Sequence, residues 1–172
     1  MKETLRIINR MKDDQIIGRY AIGGAVGATF YIEPSATLDV DIFVTLQPTP
    51  GDKFVSLAPI YDYLRRQGCT AEGEHIVVGT WPVQFLVASG ELEEEAIMSA
   101  VEAKVEGVKT WVMTAEHLTA IALKTGRSKD HARILQFLEQ GCLDCNRLES
   151  IIEQHGLAER WQKFRQRYLD EP

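Results

Sequence analysis

The chain is poor in cysteine, has no long apolar run and carries no positive excess of charge. Three cysteines, Cys69, Cys142 and Cys145, stand in 172 residues. An odd, low count does not describe the disulfide scaffold of a secreted domain. Cys142 and Cys145 make one CxxC, but a structural zinc site needs four ligands and there is no second pair. The thiols therefore read as reduced and structurally incidental. No apolar stretch approaches the roughly 20 residues that cross a bilayer. The opening segment MKETLRIINRMKDD is charged and amphipathic and lacks the apolar core and cleavage site of a signal peptide. A cytoplasmic protein without a membrane partner is expected. There is no internal repeat and no low-complexity segment.

Net charge is −6. Residues 1–113 hold 10 Lys and Arg against 16 Asp and Glu, whereas residues 114–172 hold 9 of each. Such a field does not draw in a polyanion, so any nucleotide or nucleic-acid contact must come from local clusters. The length fits one domain, or one domain and a small appendage, and 45% apolar residues suffice for a core.

Periodicity orders the chain. Leu5, Ile8 and Met11 repeat at helical spacing over residues 2–13. RYAIGG reads as a short strand entering a glycine turn, AVGATFYI as a short helix, and TLDVDIFVTL as a strand. PTPGD is a loop, with Asp52 a candidate cap for a helix over KFVSLAPIYDYLRRQG that Gly68 stops. AEGEHIVV and WPVQFLVA read as a hairpin around GT, GELEEEAIMSAVEAK as one helix, and VKTWVMT as a strand. From Thr114 the chain turns helical. TAEHLTAIALKTG is expected to run from a Thr114 cap to Gly126, and SKDHARILQFLEQG from a Ser128 cap. DCNRLESIIEQHG starts at Asp144, and LAERWQKFRQRYL follows. Strands mixed with helices, then helices alone, predict an α+β (mixed α/β) core over residues 1–113 and a C-terminal helical section over 114–172 packed on it.

The unusual stretch is IGGAVGATFYIEPSATLDVDIFVTL, residues 22–46. Two aspartates interrupt an otherwise apolar strand. Side chains alternate along a strand, so Thr37, Asp39, Asp41 and Phe43 share one face and the two carboxylates lie about 6–7 Å apart. Like charges this close repel unless a cation sits between them. Mg²⁺ prefers hard oxygen ligands and is commonly bound by one or two carboxylates with phosphate oxygens. A solvated polar strand face is the plainer alternative. The glycines at 23 and 24 favour the metal: bare backbone N–H groups can approach a phosphate there.

The order strand, Gly-Gly turn, short helix, Asp-x-Asp strand resembles the nucleotidyltransferase superfamily. GGAVGATFYIEPSATLDVDIFV carries the likeness, Thr37 included. Within it, the stretch resembles the small bacterial branch that includes AbiEii-type abortive-infection toxins and related uncharacterised nucleotidyltransferase-like proteins. LTAIALKTGRSKDHARILQFL resembles a second motif of that branch, read here as Leu123, Lys124, Arg127, Lys129 and Asp130. The resemblance implies a nucleotidyltransferase-like fold that binds NTP with Mg²⁺ or Mn²⁺ and moves a nucleoside monophosphate to a hydroxyl on RNA, protein or a small molecule. Asp39 and Asp41 are then catalytic and metal-binding. Gly23 and Gly24 form the phosphate-facing turn, and Thr37 is implied among the nucleotide- and phosphate-binding residues. Lys124, Arg127 and Lys129 hold the triphosphate, and Asp130 orients one of those cations or the acceptor. A protein partner of toxin–antitoxin type is also implied.

Two departures stand out. A third carboxylate is expected on WPVQFLVA, to complete the metal site and take the acceptor's proton, and Gln84 occupies its place. An arginine expected before the aspartates is absent, since EPSAT offers Ser35 and Ala36. Asp130 or Glu74 is the candidate substitute. Gln84 also opens an alternative, a non-catalytic member of the fold that acts by binding. His75 and His117 have no partners at metal-ligand spacing. Trp81, Trp111 and Trp161 lie in apolar patterns and are expected in packing. The stripe Arg160, Lys163 and Arg167 reads as a solvated face.

Overall fold

The structure, a computed structural model, describes residues 1–34, 37, 39–46 and 56–170. The first helix, α1 (Lys2–Asp13), buries Thr4, Leu5, Ile8 and Met11 along one stripe. Each of the three apolar side chains contributes roughly 1.5–3 kcal/mol by leaving water. Strand β1 (Tyr20–Ile22) leads through the glycine turn into α2 (Gly24–Ala28) and then β2 (Val40–Val44). In β2 the alternation holds. Val40, Ile42 and Val44 are fully buried in the cluster that takes in α1, and Phe43 joins a second cluster on the opposite face.

Then follow α3 (Ala58–Arg66), β3 (Thr70–Glu72), β4 (His75–Val78), β5 (Trp81–Val87), α4 (Glu91–Met98), β6 (Val101–Val105) and β7 (Val108–Val112). The described strands form one mixed sheet of order β3-β4-β5-β2-β1-β7-β6. β1 pairs antiparallel with β2, while β2 is parallel to β5 and β1 to β7. Helices α5 (Ala115–Thr125), α6 (Ser128–Glu139), α7 (Cys145–Gln154) and α8 (Ala158–Tyr168) complete the chain. The architecture is the expected mixed α/β core with helices at the C-terminal end.

Helix α5 ties the two parts. Ala115 and Leu118 pack with Ala21 and Phe43 of the sheet, whereas Ala120, Ala122 and Leu123 pack with Leu148, Ile152 and Phe164 of the later helices. Its ends are as expected: Thr114 Oγ1 accepts from the His117 N–H, and Gly126 closes the helix at φ +71°. Asp144 likewise caps α7.

Four local expectations change. The helix in KFVSLAPIYDYLRRQG starts only at Ala58, because Pro59 has no N–H to donate and fits only a first turn. The Asp52 cap lies outside the described residues. AEGEHIVV is two strands, divided at Gly73, whose φ of +63° makes the turn. GELEEEAIMSAVEAK stops being helix at Met98. Its VEAKV alternates with period two and pairs with β7 through a tight turn at Glu106 and Gly107, φ +49° and +78°. Helix α6 is capped at Arg127 rather than Ser128, since Asp130 Oδ2 accepts the Arg127 N–H at 3.2 Å.

Candidate nucleotide and metal site

The ends of β1 and β2 bring the glycine turn onto the aspartates. The Gly23 N–H donates to the Asp41 carbonyl at 2.9 Å, extending the ladder by one rung. A Cβ on Gly23 would press on the Phe43 ring. Gly24 sits at φ +55°, and a Cβ there would overlap Asp41 Oδ2. The turn must be bare because the carboxylate lies against it.

Above them opens a cleft of about 300 Å³. Gly24, Thr37, Asp39, Asp41 and Gln84 form one wall, and Arg127, Lys129, Asp130 and Arg133 the facing one. Leu86, Met113, Leu118 and Ile121 give it an apolar floor. The two aspartates differ in their surroundings. Asp39 Oδ2 is 3.0 Å from His75 Nε2, and Oδ1 accepts from Thr37 Oγ1 at 3.2 Å. The Asp41 carboxylate takes no hydrogen bond from the described residues. Burial raises its pKa above the ordinary carboxylate value, the charge of Asp39 adds to this, and Arg133, Lys129 and Arg127 oppose it.

On the facing wall Asp130 is almost wholly buried and braces two guanidinium groups. Arg127 Nε meets Oδ2 at 2.7 Å, and Arg133 lies 3.5 Å from Oδ1. This pairing, chiefly its hydrogen bond, pushes the Arg127 pKa further up. Both Asp130 oxygens are thus committed, which suits a positioner of cations and not a proton acceptor. Lys129 is exposed at the rim.

Register puts Gln84 directly beside Asp41 on the parallel strand β5. Its amide brings neither charge nor a basic site. Glu74 is exposed on the β3–β4 turn and is not part of the cleft lining. Among the described residues no group of three or more His, Cys, Asp or Glu is placed to hold a metal. Among the described residues the cleft offers two carboxylates, one of them without a hydrogen-bond partner, opposite three cations. That set fits one divalent cation shared with phosphate oxygens.

Lys124 stands apart from this cleft. Its Nζ binds Glu93 Oε1 at 2.6 Å, and it lines a different depression, with His155 and Arg160. Leu118, Ile121, Ala122 and Thr125 make the stripe of α5 that faces the cleft. At 100° per residue, Lys124 lies roughly 110° around the helix from that stripe. One cleft residue, Arg133, and one residue behind the cleft wall, His75, escaped the sequence. Arg133 stands three positions after Asp130, on the same helical face, a spacing that could have revealed it. His75 reaches Asp39 only across strands, which linear spacing cannot show. His117 is buried between Thr114 Oγ1 and Glu95, with burial lowering its pKa. None of the three tryptophans lines the cleft; each packs at the margin of a core cluster. In the last helix, Lys163 pairs with Glu159, and the Arg160 guanidinium donates to the Lys124 carbonyl.

The fold is nucleotidyltransferase-like. One solved structure that the chain resembles is the aminoglycoside nucleotidyltransferase ANT(2″)-Ia, in complex with adenylyl-2″-tobramycin. It matches with TM-score 0.52 and 14% identity, over 98% of this chain and 99% of the other. Another is an antigenic nucleotidyltransferase-like protein from Paracoccidioides brasiliensis, with TM-score 0.50 and 13% identity, over 94% and 93% of the two chains. No protein-family model matches the sequence, and no curated protein does. Among the described residues no helix is long and apolar enough to cross a membrane.

Proposed function

We propose that the chain binds a nucleoside triphosphate with Mg²⁺ or Mn²⁺ in this cleft and transfers the nucleoside monophosphate to a hydroxyl acceptor. One observation carries the reading: a repelled carboxylate, Asp41, with no hydrogen-bond partner among the described residues, lies against a bare glycine turn and opposite Arg127, Lys129 and Arg133. Asp39 and Asp41 would hold the metal, which supplies charge neutralisation at the reacting phosphate. Arg127 and Arg133, set by Asp130, and Lys129 at the rim would bind the triphosphate oxygens, the guanidinium groups as planar forks and the ammonium as a point charge. The apolar floor would take the base or the acceptor. RNA, a protein side chain and a small molecule are the acceptor classes, in keeping with the likeness to abortive-infection toxins, and an antitoxin-like protein is the corresponding partner. The ANT(2″)-Ia complex, which contains an adenylylated small molecule, makes a small-molecule hydroxyl equally eligible.

Gln84 supports a second reading, a fold member that binds nucleotide without transferring it, because the β5 position paired with Asp41 carries an amide, which cannot take the acceptor's proton. Calorimetry of ATP and GTP, with and without Mg²⁺, on wild type and the Asp39→Ala/Asp41→Ala double variant tests the site. Metal-dependent binding lost in the variant is expected; equal binding by both proteins refutes the metal pair. Transfer of α-³²P label to candidate acceptors, abolished by Asp41→Ala, then separates the two readings.

A further inference from the structure

The sheet register aligns three polar residues across one face. Asp41 lies opposite Gln84 on parallel β5, and Ile76 of β4 lies opposite Val83 of antiparallel β5. One step further along both strands sets His75 against Gln84. Paired residues share a face, so Asp41, Gln84 and His75 form a row over three strands. From the end of that row His75 Nε2 reaches Asp39 Oδ2 at 3.0 Å, both side chains about one-third exposed. An ionised carboxylate oxygen only accepts, so Nε2 carries the hydrogen and donates. Thr37 Oγ1 donates to the other oxygen. Asp39 is therefore held by two donors, yet each oxygen keeps a lone pair for a metal.

We propose that His75 is a positioning residue of the metal site: it fixes the Asp39 carboxylate so that one ligand is preset and Asp41 closes on the ion. The inference rests on the aspartate pair being a divalent-cation site. Its physical basis is the orienting partner that metal-ligating groups commonly have. Loss of such a partner typically weakens metal affinity about 10–100-fold. A bare surface ion pair behaves otherwise, with about 0–1 kcal/mol of stability at stake and metal affinity untouched. The role requires an N–H at the position of Nε2 and does not require the imidazole to change its charge. Glutamine places an amide nitrogen there, asparagine stops at the position of Nδ1, and alanine has no donor.

The test is Mn²⁺ titration of the full chain, by calorimetry and electron paramagnetic resonance, with a non-hydrolysable ATP analogue present. Wild type is expected to bind Mn²⁺ and Asp41→Asn to lose it. His75→Ala should weaken binding about tenfold or more, and His75→Gln should restore most of it. Unchanged affinity in His75→Ala, or no recovery in His75→Gln, overturns the positioning role while leaving the site intact. If the alanine variant does not fold, the contrast between His75→Asn (weak) and His75→Gln (near wild type) decides the same point. Wild type that binds no Mn²⁺ removes the proposed function itself, and the role of His75 with it.

Discussion

Replacing Asp41 by asparagine should make the metal-free protein more stable. Burial and the Asp39 charge raise the Asp41 pKa, and the three cations opposite do not cancel the rise. A carboxyl whose folded pKa exceeds its unfolded value of 3.8 holds its proton more tightly when folded. The native state is therefore relatively favoured in acid, and stability is lost as pH rises through the folded pKa. Near pH 8 the whole penalty is present. Two unit charges about 6–7 Å apart repel by roughly 2–3 kcal/mol at an effective dielectric of about 20. The opposing cations and partial exposure leave about 1 kcal/mol of this to be relieved, which in a chain of this size shifts Tm by about 2–4 °C. The assay is thermal melting in EDTA and in millimolar Mg²⁺ with nucleotide. Asp41→Asn should melt higher than wild type in EDTA at about pH 8, the gap closing as pH falls below the Asp41 pKa. Only wild type should gain from Mg²⁺ and nucleotide. A folded Asp41→Asn that melts at or below wild type in EDTA would refute the account of a repelled pair.

Further outcomes follow from the same geometry. Gly24→Ala meets both a left-handed backbone and the Asp41 carboxylate, and should abolish metal-dependent nucleotide binding in calorimetry; Gly156→Ala, at φ +66° with open space around it, should cost only about 1 kcal/mol in denaturant melts and leave binding alone. Lys124→Met should leave NTP affinity unchanged but destabilise the fold by about 1–3 kcal/mol, because Glu93 is buried and its Oε2 already lacks a partner among the described residues. Lys129→Met should do the reverse, weakening NTP binding with a stability change within about 0.5 kcal/mol. Gln84→Glu adds a third negative charge next to Asp41, so it should lower Tm in EDTA and tighten Mn²⁺ binding. An unchanged melt would mean that position 84 does not share the field of the pair.

Much of this was legible in the sequence because it is local. The strand, turn and helix around Gly23 and Gly24, the alternation of β2, and the ends of α5 at Thr114 and Gly126 depend on residues a few positions apart. So does the Arg127–Asp130 brace. What the sequence hid depends on lateral neighbours. VEAKV reads equally as helix or strand by composition, and only the open edge of β7 makes it β6. Lys124 shares a motif with Arg127, but Gly126 ends the helix between them and the two side chains leave on different sides. His75 is a lone histidine in sequence and a partner of Asp39 in space. Arg133 shows the opposite case, a residue whose helical spacing from Asp130 was available and unused.

The departure at Gln84 bears on how many ions the cleft can hold. Asp39 and Asp41 face three cations, and Asp130, on the cations' own wall, is spent on Arg127 and Arg133, so among the described residues Asp39 and Asp41 are the only carboxylates of the cleft left to bind metal. One divalent ion balances that pair. Two would leave the carboxylate pair at about +2, beside a facing wall where Arg127, Lys129, Arg133 and Asp130 already sum to about +2 before nucleotide arrives, at a separation where like charges cost several kcal/mol even with substantial screening. A carboxylate at position 84 would cut that excess; the glutamine amide cannot. Mn²⁺ should therefore bind the nucleotide-free protein with a stoichiometry of one, and a second ion should appear only with a triphosphate whose own oxygens provide its ligands.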